Sequence, residues 1–451
     1  MKNWTATAAA FPPGGDAGLV ELQRELKWPL MAHNRWCERL YGIAHLFRGL
    51  NDWTSGDQLK LFVRAVAVSY RLVCCSCRFR WSNNTDYAVA NGGKFRFSDS
   101  TAPMVVPLEQ RFWDHLLGNA AKNWGLTVYE QDWLFNEFEG VPLLTQNATA
   151  GRNWLLQMGR AAETAGVTIQ LCMAYPRMAL QSVELPAVTQ IRVSDDYVPG
   201  SYWTHEDSAP QQWRIGGSSI LADALSLSAF KDNFWTNSSE PGGSVFPPEL
   251  AVEPAAARES AVATLSAGPV TPSDAAGWGN RELIMRSCLQ DGRLVQPDRP
   301  MVMLDEAFAA AAMQSAARTG PELAVAEAAG PDGEVWSTYS TAAGALRWRM
   351  LFAAWLRRNY TVTASTLSLG DDLGLSSAIK PVVAYSVNPV TFAAETLRAQ
   401  CFGEESPLHL RASQTERDFE LWYATAVPPL LFRHRQQFCS EENLHSSVSV
   451  C

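Results

Sequence analysis

Two places in the sequence put acids where chemistry could be done. In "VYEQDW", Asp132 closes a short apolar run, with Gln131 before it and Trp133 after it. In "TQIRVSDDYVPG", Arg192 and Ser194 precede two adjacent acids, Asp195 and Asp196, at the end of another alternating run. Retaining glycoside hydrolysis needs two carboxylates roughly 5 to 5.5 Å apart. One attacks the anomeric carbon, and the other protonates the leaving oxygen and later activates water. Taken singly, Asp132 also reads as a helix cap or loop acid, and the Asp195–Asp196 pair as caps or as charge partners of Arg192.

For these acids to face one another, the strands that carry them must be close in one sheet. The sequence supplies a repeating beat of helix and strand. "GGDAGLVELQRELKWPLMAHNRW" reads as an amphipathic helix and a short strand. "VPLEQRFWDHLLGNAAKNWG" leads into "LTVYEQDWL", "ATAGRNWLLQMGRAAETAG" into "VTIQLCMAY", and "RMALQSVELPA" into "VTQIRVSDDY". "GGSSILADALSLSAF" before "KDNFWTN", and "PAAARESAVATLSAG" before "PVTPSDAAGW", continue it. This alternation predicts a parallel sheet with crossover helices. No glycine-rich phosphate fingerprint is present. Strand ends rich in Asp, Arg, His, Asn and Trp point instead to an α/β fold of the (β/α)8 TIM-barrel type, whose active site is built at that face.

The barrel-type domain is expected over residues 1–300, interrupted at about 41–88 by a stretch that breaks the beat and contains "CCSC". Past Pro300 an Ala-rich helical piece, "MLDEAFAAAAMQSAA", precedes four strand-like runs, "YTVTASTLSL", "PVVAYSVN", "PLHLRAS" and "DFELWYATAVPP". They predict a small antiparallel β-sandwich domain over 301–432, followed by a polar tail at 433–451.

Length, charge and composition narrow the function classes. The chain has 451 residues, 47% of them hydrophobic, and a net charge of −9. Its basic residues are scattered, which argues against a nucleic-acid partner. No apolar run has the length of a membrane span, and the N-terminus lacks the apolar core of a signal peptide, so a soluble, cytoplasmic protein is expected. Nine cysteines form neither a disulfide framework nor a paired C-x-x-C pattern, and reduced thiols are expected. Seven histidines fall without H-x-H or H-x-x-x-H spacing, so neither a metal nor another cofactor is implied. Trp36, Trp133 and Trp235 fall at predicted strand ends, where rings stack on sugar C–H faces, although each also reads as a core residue. His33 and Arg35 in "AHNRW" fall at the same mouth, with a structural histidine as the alternative for the first.

The runs "VYEQDW", "IQLCMAYP", "TQIRVSDDYVPG", "FKDNFWT", "LSAGPVTPSDAAG" and "LQDGRLVQPDRP", in this order, resemble the glycoside hydrolase clan of α-galactosidases and raffinose synthases. The resemblance covers roughly residues 1–305, with gaps. It implies that Asp132 is the nucleophile, Asp196, four residues after Arg192, the acid/base, and Arg192 a substrate-binding arginine supported by Asp195. It also implies that Asp274 in "GPVTPSD" is a ligand for a sugar hydroxyl. The implied function is a glycosidase, or a transglycosidase of the raffinose synthase type, acting on α-linked galactosyl oligosaccharides by double displacement. The alternative is a catalytically impaired barrel relic that binds carbohydrate.

Two departures from the family pattern stand out. The family's lysine two residues before the nucleophile is Glu130 here, and an acid at that place is expected to raise the nucleophile's pKa. "WTATAAAFPPGGDAGLVELQ" resembles a segment that follows the family's second strand, so the first strands are expected to be missing. About six strands of eight would remain, and an N-terminal segment or an oligomer partner would have to close the barrel.

Overall fold

The computed structural model describes residues 14–26, 30–33, 44–46, 85–99, 104–197, 199, 215–239, 252–275, 278–309, 331–342, 346–367, 382–386, 398–415 and 417–426. Arg35, Trp36, most of the 41–88 segment and the 433–451 tail lie outside the described residues. Contacts divide the chain into two compact units. One comprises residues 1–200, 221–253 and 268–295, and the other 201–220, 254–267 and 296–451.

In the first unit, helix Asp16–Leu26 leads to strand β1 (Leu30–His33), and β2 (Ala44–Leu46) follows. Helix Gln110–Trp124 leads to β3 (Leu126–Gln131), helix Ala150–Ala165 to β4 (Thr168–Leu171), and helix Pro176–Gln181 to β5 (Val188–Arg192). Helix Ile215–Ala224 precedes β6 (Ser228–Phe230) in the chain. The sheet order is β2-β1-β3-β4-β5-β6, parallel except where β2 runs antiparallel to β1. Strands β7 (Asn233–Phe234) and β8 (Thr271–Pro272) form a separate parallel pair.

The helix–strand beat has a local cause. Helix Gln110–Trp124 buries Phe112, Trp113, Leu116, Leu117, Ala120 and Trp124, a single stripe at helical spacing. It stops at Gly125, whose φ of 69° lets its N–H reach back to the carbonyls of Ala120 and Ala121. Gly166, with φ 68°, ends helix Ala150–Ala165 in the same way. Each glycine turns the chain almost directly into a strand, so β3 and β4 enter the sheet from equivalent turns.

Two expectations need adjustment, and the open barrel can be set beside its expected form. "GGSSILADALSLSAF" is not helical to its end: the helix stops at Ala224, Ser226 takes φ 55°, and the last residues are strand β6. Strand β2 lies within the stretch expected to be a pure insertion. Among the described residues the strands do not close into an eight-stranded barrel; the six-stranded sheet and the β7–β8 pair are separate. The break falls at Lys231 and Asp232, where Asp232 takes φ 73° and turns the backbone out of the β6 ladder.

The second unit includes helix Ala256–Leu265 and is otherwise mainly antiparallel. Strands β9 (Val302–Met303), β10 (Glu334–Ala342), β11 (Leu346–Ala354), β13 (Val382–Ser386), β14 (Arg398–Phe402) and β16 (Phe419–Ala426) form one sheet, ordered β14-β13-β16-β11-β10-β9. Strands β12 (Tyr360–Val362) and β15 (Leu408–Leu410) pair beside it. Val335, Leu351, Ala384 and Trp422 of the large sheet share one core with Val362, Leu408 and Leu410 of the small one. The four strands expected here are present, but β10 and β11, the longest, are additional. Cys401 is disulfide-bonded, which corrects the expectation of reduced thiols, while Cys172 and Cys288 are free. No helix among the described residues is long and apolar enough to cross a membrane.

Two glycines of the first unit test the packing that holds the strand ends. A Cβ on Gly268 would lie 2.2 Å from the backbone oxygen of Ala229 in β6. Gly118, inside helix Gln110–Trp124, has nothing within 4 Å of such an atom. Gly268→Ala is therefore expected to destabilise by about 1–3 kcal/mol, and Gly118→Ala to stabilise by about 0.5–1 kcal/mol. Denaturant unfolding of both variants checks the opposite signs; equal shifts would contradict this packing.

Candidate active site

The alternation of side chains along β3 divides its residues between two faces. Tyr129 and Gln131 share one: Tyr129 meets Trp113 edge-on with ring centroids 6.2 Å apart, and its hydroxyl donates to Gln131 Oε1 at 2.9 Å. Gln131 Nε2 donates to Glu137 Oε2 at 2.9 Å. Glu130 and Asp132 belong to the opposite face. The register carries that face across the sheet, since Glu130, Gln170, Gln190 and Ser228 are lateral neighbours. Two residues further along each strand stand Asp132, Cys172, Arg192 and Phe230. Polar groups thus fill one layer across four neighbouring strands, and Asp132, Cys172 and Arg192 continue them into the next on β3, β4 and β5. Gln170 is completely buried, and Glu130 and Asp132 are buried.

Arg192 is the centre of charge. Its side chain is only 7% exposed, and its Nη1 donates to Asp196 Oδ1 at 2.6 Å. The same nitrogen lies 3.8 Å from Asp232 Oδ2. Asp196 is 64% exposed, so its carboxylate reaches solvent while Oδ1 is held by Arg192. The positive charge of Arg192 acts on Asp132, Glu130 and Cys172 together.

Burial dominates the protonation of the acids beside it. Glu130 is pushed up to about 8, first by burial and then by the charge of Asp132, with Arg192 and a hydrogen bond to Cys172 opposing. Asp132 is also raised by burial; Arg192, Cys172 and the Trp133 N–H, which donates to Asp132 Oδ1 at 2.8 Å, work against the rise. Burial holds the Cys172 thiol well above its usual range, so it stays a protonated donor to the two carboxyls. Near neutral pH Glu130 is therefore a carboxylic acid, and the position occupied by lysine in the family pattern carries no second anion.

The backbone at these strand ends is bent into uncommon geometry. Trp133 (φ 58°), Met173 (φ 49°) and Asp232 (φ 73°) are all left-handed non-glycine residues. Trp133 and Met173 directly follow Asp132 and Cys172. Each such residue costs about 1–2 kcal/mol, and surrounding contacts hold it in place. Phe135 N–H donates to the Met173 carbonyl at 3.0 Å, and Cys172 N–H to the Gln131 carbonyl at 2.9 Å.

Asp232 and Cys172 are site residues that the sequence reading did not single out, although "FKDNFWT" and "IQLCMAYP" were among the resembling runs. The Oδ2 of Asp232 accepts from the Tyr197 N–H at 2.7 Å, and its Oδ1 from Asn233 Nδ2 at 3.1 Å. Lys231 Nζ lies 4.8 Å from the centre of the Tyr197 ring, and the Tyr197 hydroxyl donates to Glu253 Oε2 at 2.6 Å. The segment after β5 is thereby tied to the end of β6, which fixes Asp196 in place. An acid directly after a strand, as in "AFKD", is the signal that could have found Asp232.

The other expected site residues divide. Asp195 is half-buried between Ser194 and Asp196. Trp133 is half-buried and begins an aromatic row, 6.4 Å from Phe135, which is 5.8 Å from Tyr175. The backbone of His33 lies beside Glu130 in the sheet. Trp235 is buried, and its backbone N–H donates to the Tyr197 hydroxyl at 3.3 Å, a placement that suits the core alternative. The Asp274 carboxylate accepts from the Thr236 N–H and hydroxyl, both at 2.7 Å, and from the Asn237 N–H at 3.1 Å. These bonds hold a turn and occupy the oxygens expected to meet a sugar. Glu130, Asp132 and Cys172 bring ligand-type atoms within 4.8 Å of one another, a spacing that suits a metal ion. The guanidinium of Arg192 already supplies positive charge to all three, which disfavours a second cation there.

No family model matches the chain, and no curated protein sequence matches it. Among solved structures it is similar to a Bacteroides fragilis protein assigned as an α-galactosidase/melibiase, at 12% identity and a TM-score of 0.38, over 69% of this chain and 57% of that one. It is also similar to an α-amylase from Malbranchea cinnamomea, at 9% identity and a TM-score of 0.33, over 73% of this chain and 63% of that one. A glycoside hydrolase family 44 xyloglucanase from Paenibacillus polymyxa matches at 9% identity and a TM-score of 0.29, over 73% and 72% of the two chains.

Proposed function

We propose that the chain is a retaining glycosidase or transglycosidase for α-linked galactosyl oligosaccharides, with its site at the strand ends of a domain of the (β/α)8 type. The observation that carries this reading is the grip of buried Arg192 on Asp196 while its charge also reaches Asp132. In this mechanism Asp132 attacks the anomeric carbon and the glycosidic bond breaks, while Asp196 gives its proton to the leaving oxygen. The oxygen of water, or of a sugar hydroxyl in transfer, then bonds to the anomeric carbon as the glycosyl–Asp132 bond breaks, and gives its proton to Asp196. Arg192 orients Asp196 and reaches a substrate hydroxyl, with Asp195 in support. The aromatic row from Trp133 offers an apolar face for the sugar ring.

A second reading, a carbohydrate-binding protein with impaired turnover, is favoured by one observation. Burial raises Asp132, which works against the charged form that a nucleophile needs. Turnover of aryl α-galactosides and galactosyl oligosaccharides decides between the two. Asp132→Asn is expected to lower kcat/KM by about 10³-fold or more, and Asp196→Asn to do so chiefly on substrates with poor leaving groups. A folded wild-type protein that binds sugar without turnover, with Asp132→Asn unchanged, would establish the second reading.

Glu130 gives a pH test with a defined sign. Its value in the folded protein, about 8, lies above the ordinary 4.5, so the folded state holds the extra proton between those limits. Stability should therefore fall as pH rises through that window. Activity should fall on an alkaline limb centred near 8, where Glu130 becomes an anion beside Asp132. Glu130→Gln is expected to flatten both profiles and to raise Tm at alkaline pH by several degrees, at about 2–4 °C per kcal/mol. A variant that keeps the wild-type alkaline limb would assign the limb to another group.

A further inference from the structure

The sequence holds five N-x-S/T runs, and three of them, at Asn147, Asn237 and Asn359, fall among the described residues. An asparagine in such a run accepts an N-linked oligosaccharide only if two conditions hold. The chain must meet oligosaccharyl transfer, outside the cytoplasm, and the bulky product must be able to stay in solvent after folding. Geometry sorts the three on the second condition. Asn147, Ala148 and Thr149 join helix Pro142–Gln146 to helix Ala150–Ala165, and all three are exposed. The Asn147 Oδ1 accepts from the Thr149 N–H and the Thr149 hydroxyl, each at 3.0 Å, and from the Ala150 N–H at 3.1 Å. Donors on that oxygen fix which way the carboxamide points, and Nδ2, the atom that takes a glycan, stays outside these bonds. The turn is made within four residues, so it can form before the rest of the chain has folded.

Asn359, just before β12 and followed by Tyr360 and Thr361, is exposed as well. Its Oδ1 accepts from the Ala412 N–H at 2.8 Å, which again leaves Nδ2 uncommitted. Asn237 differs. It is half-buried, its N–H donates to Asp274 Oδ1 at 3.1 Å, and its Nδ2 donates to the Trp278 carbonyl, so a glycan on that nitrogen would break the turn. The first condition has an observation of its own. Cys401 is disulfide-bonded, and protein disulfides persist chiefly in oxidising compartments such as the secretory lumen, where oligosaccharyl transfer also takes place.

We propose that the chain matures in an oxidising secretory compartment, in place of the expected cytoplasm, and carries N-linked oligosaccharides at Asn147 and Asn359 but none at Asn237. The inference is independent of the chemistry proposed for Asp132 and Asp196. In the transfer, Nδ2 bonds to the anomeric carbon of an oligosaccharide held on a lipid pyrophosphate. The bond from that carbon to the pyrophosphate oxygen breaks, the lipid pyrophosphate leaves with the electron pair, and Nδ2 gives up one proton.

Peptide mapping of the full chain, isolated from the cells that make it, tests this, with N-linked glycans removed enzymatically in water enriched in heavy oxygen. Each glycosylated asparagine then reads as a heavy aspartate. That mass shift is expected at positions 147 and 359, with position 237 still an asparagine and Cys401 recovered in a disulfide-linked peptide before reduction. In full chains directed into the secretory pathway of cultured eukaryotic cells, Asn147→Gln and Asn359→Gln should each lose the mass of one glycan, and Asn237→Gln none. Thr149→Val should lose the same glycan as Asn147→Gln, whereas Thr149→Ser, which keeps the hydroxyl, should retain it. An unmodified asparagine at 147 or 359 in the native protein would overturn the assignment at that residue. A heavy aspartate at 237 would overturn the sorting by burial, and a free thiol at Cys401 would overturn the oxidising compartment.

Discussion

A buried guanidinium governs the architecture of the candidate site. Arg192 projects from the end of β5 with almost no access to water, and desolvation on that scale is tolerated only where opposite charge and hydrogen bonds surround the group. Asp196 meets it directly, Asp232 lies close by, and Asp132 feels its field. The dependence is mutual. Without the arginine, buried Asp132 would lose the strongest influence that favours its charged form. The site is better described as one ionic unit spread over three strand ends than as two acids and a ligand-binding arginine.

Holding that unit together is a matter of backbone geometry at the strand ends. The turns at Trp133, Met173 and Asp232 direct side chains toward one another and are themselves braced by hydrogen bonds between neighbouring loops. Tyr197 supplies the longest brace, joining the segment that carries Asp196 to Asp232 through its N–H and to Glu253 through its hydroxyl. Charge and conformation support each other here, because the strained turns place the acids and the attraction of Arg192 offsets part of the strain.

Much of this was legible in the sequence. Amphipathic stripes such as Phe112, Trp113, Leu116, Leu117 and Ala120, closed by glycines at 125 and 166, announce a helix and the strand that follows it. Asp132, Arg192 and Asp196 stand just where apolar runs stop. Other features were hidden for physical reasons. Strand β6 has three residues and follows a helix whose apolar pattern runs on into it, so the transition at Ser226 leaves no mark in hydropathy. Strand β11, "LRWRMLFAA", carries arginines on a face that is core further along, which blurs the period of two. Asp274 and Trp235 have the right types for a sugar site, but their hydrogen bonds and burial serve the turn and the core, and spacing alone does not separate these outcomes.

The row of Glu130, Gln170, Gln190 and Ser228 across four strands has a consequence for folding as well as for the site. Side chains alternate along a strand, so a slip of β4 by a single residue would turn Gln170 to the opposite face and bring Ile169 or Leu171 among the acids. Both halves of that exchange are unfavourable. Polar residues that would weaken an ordinary core therefore act as a proofreading mark for strand alignment, and the chain that assembles the acids correctly is also the one that pairs its strands correctly.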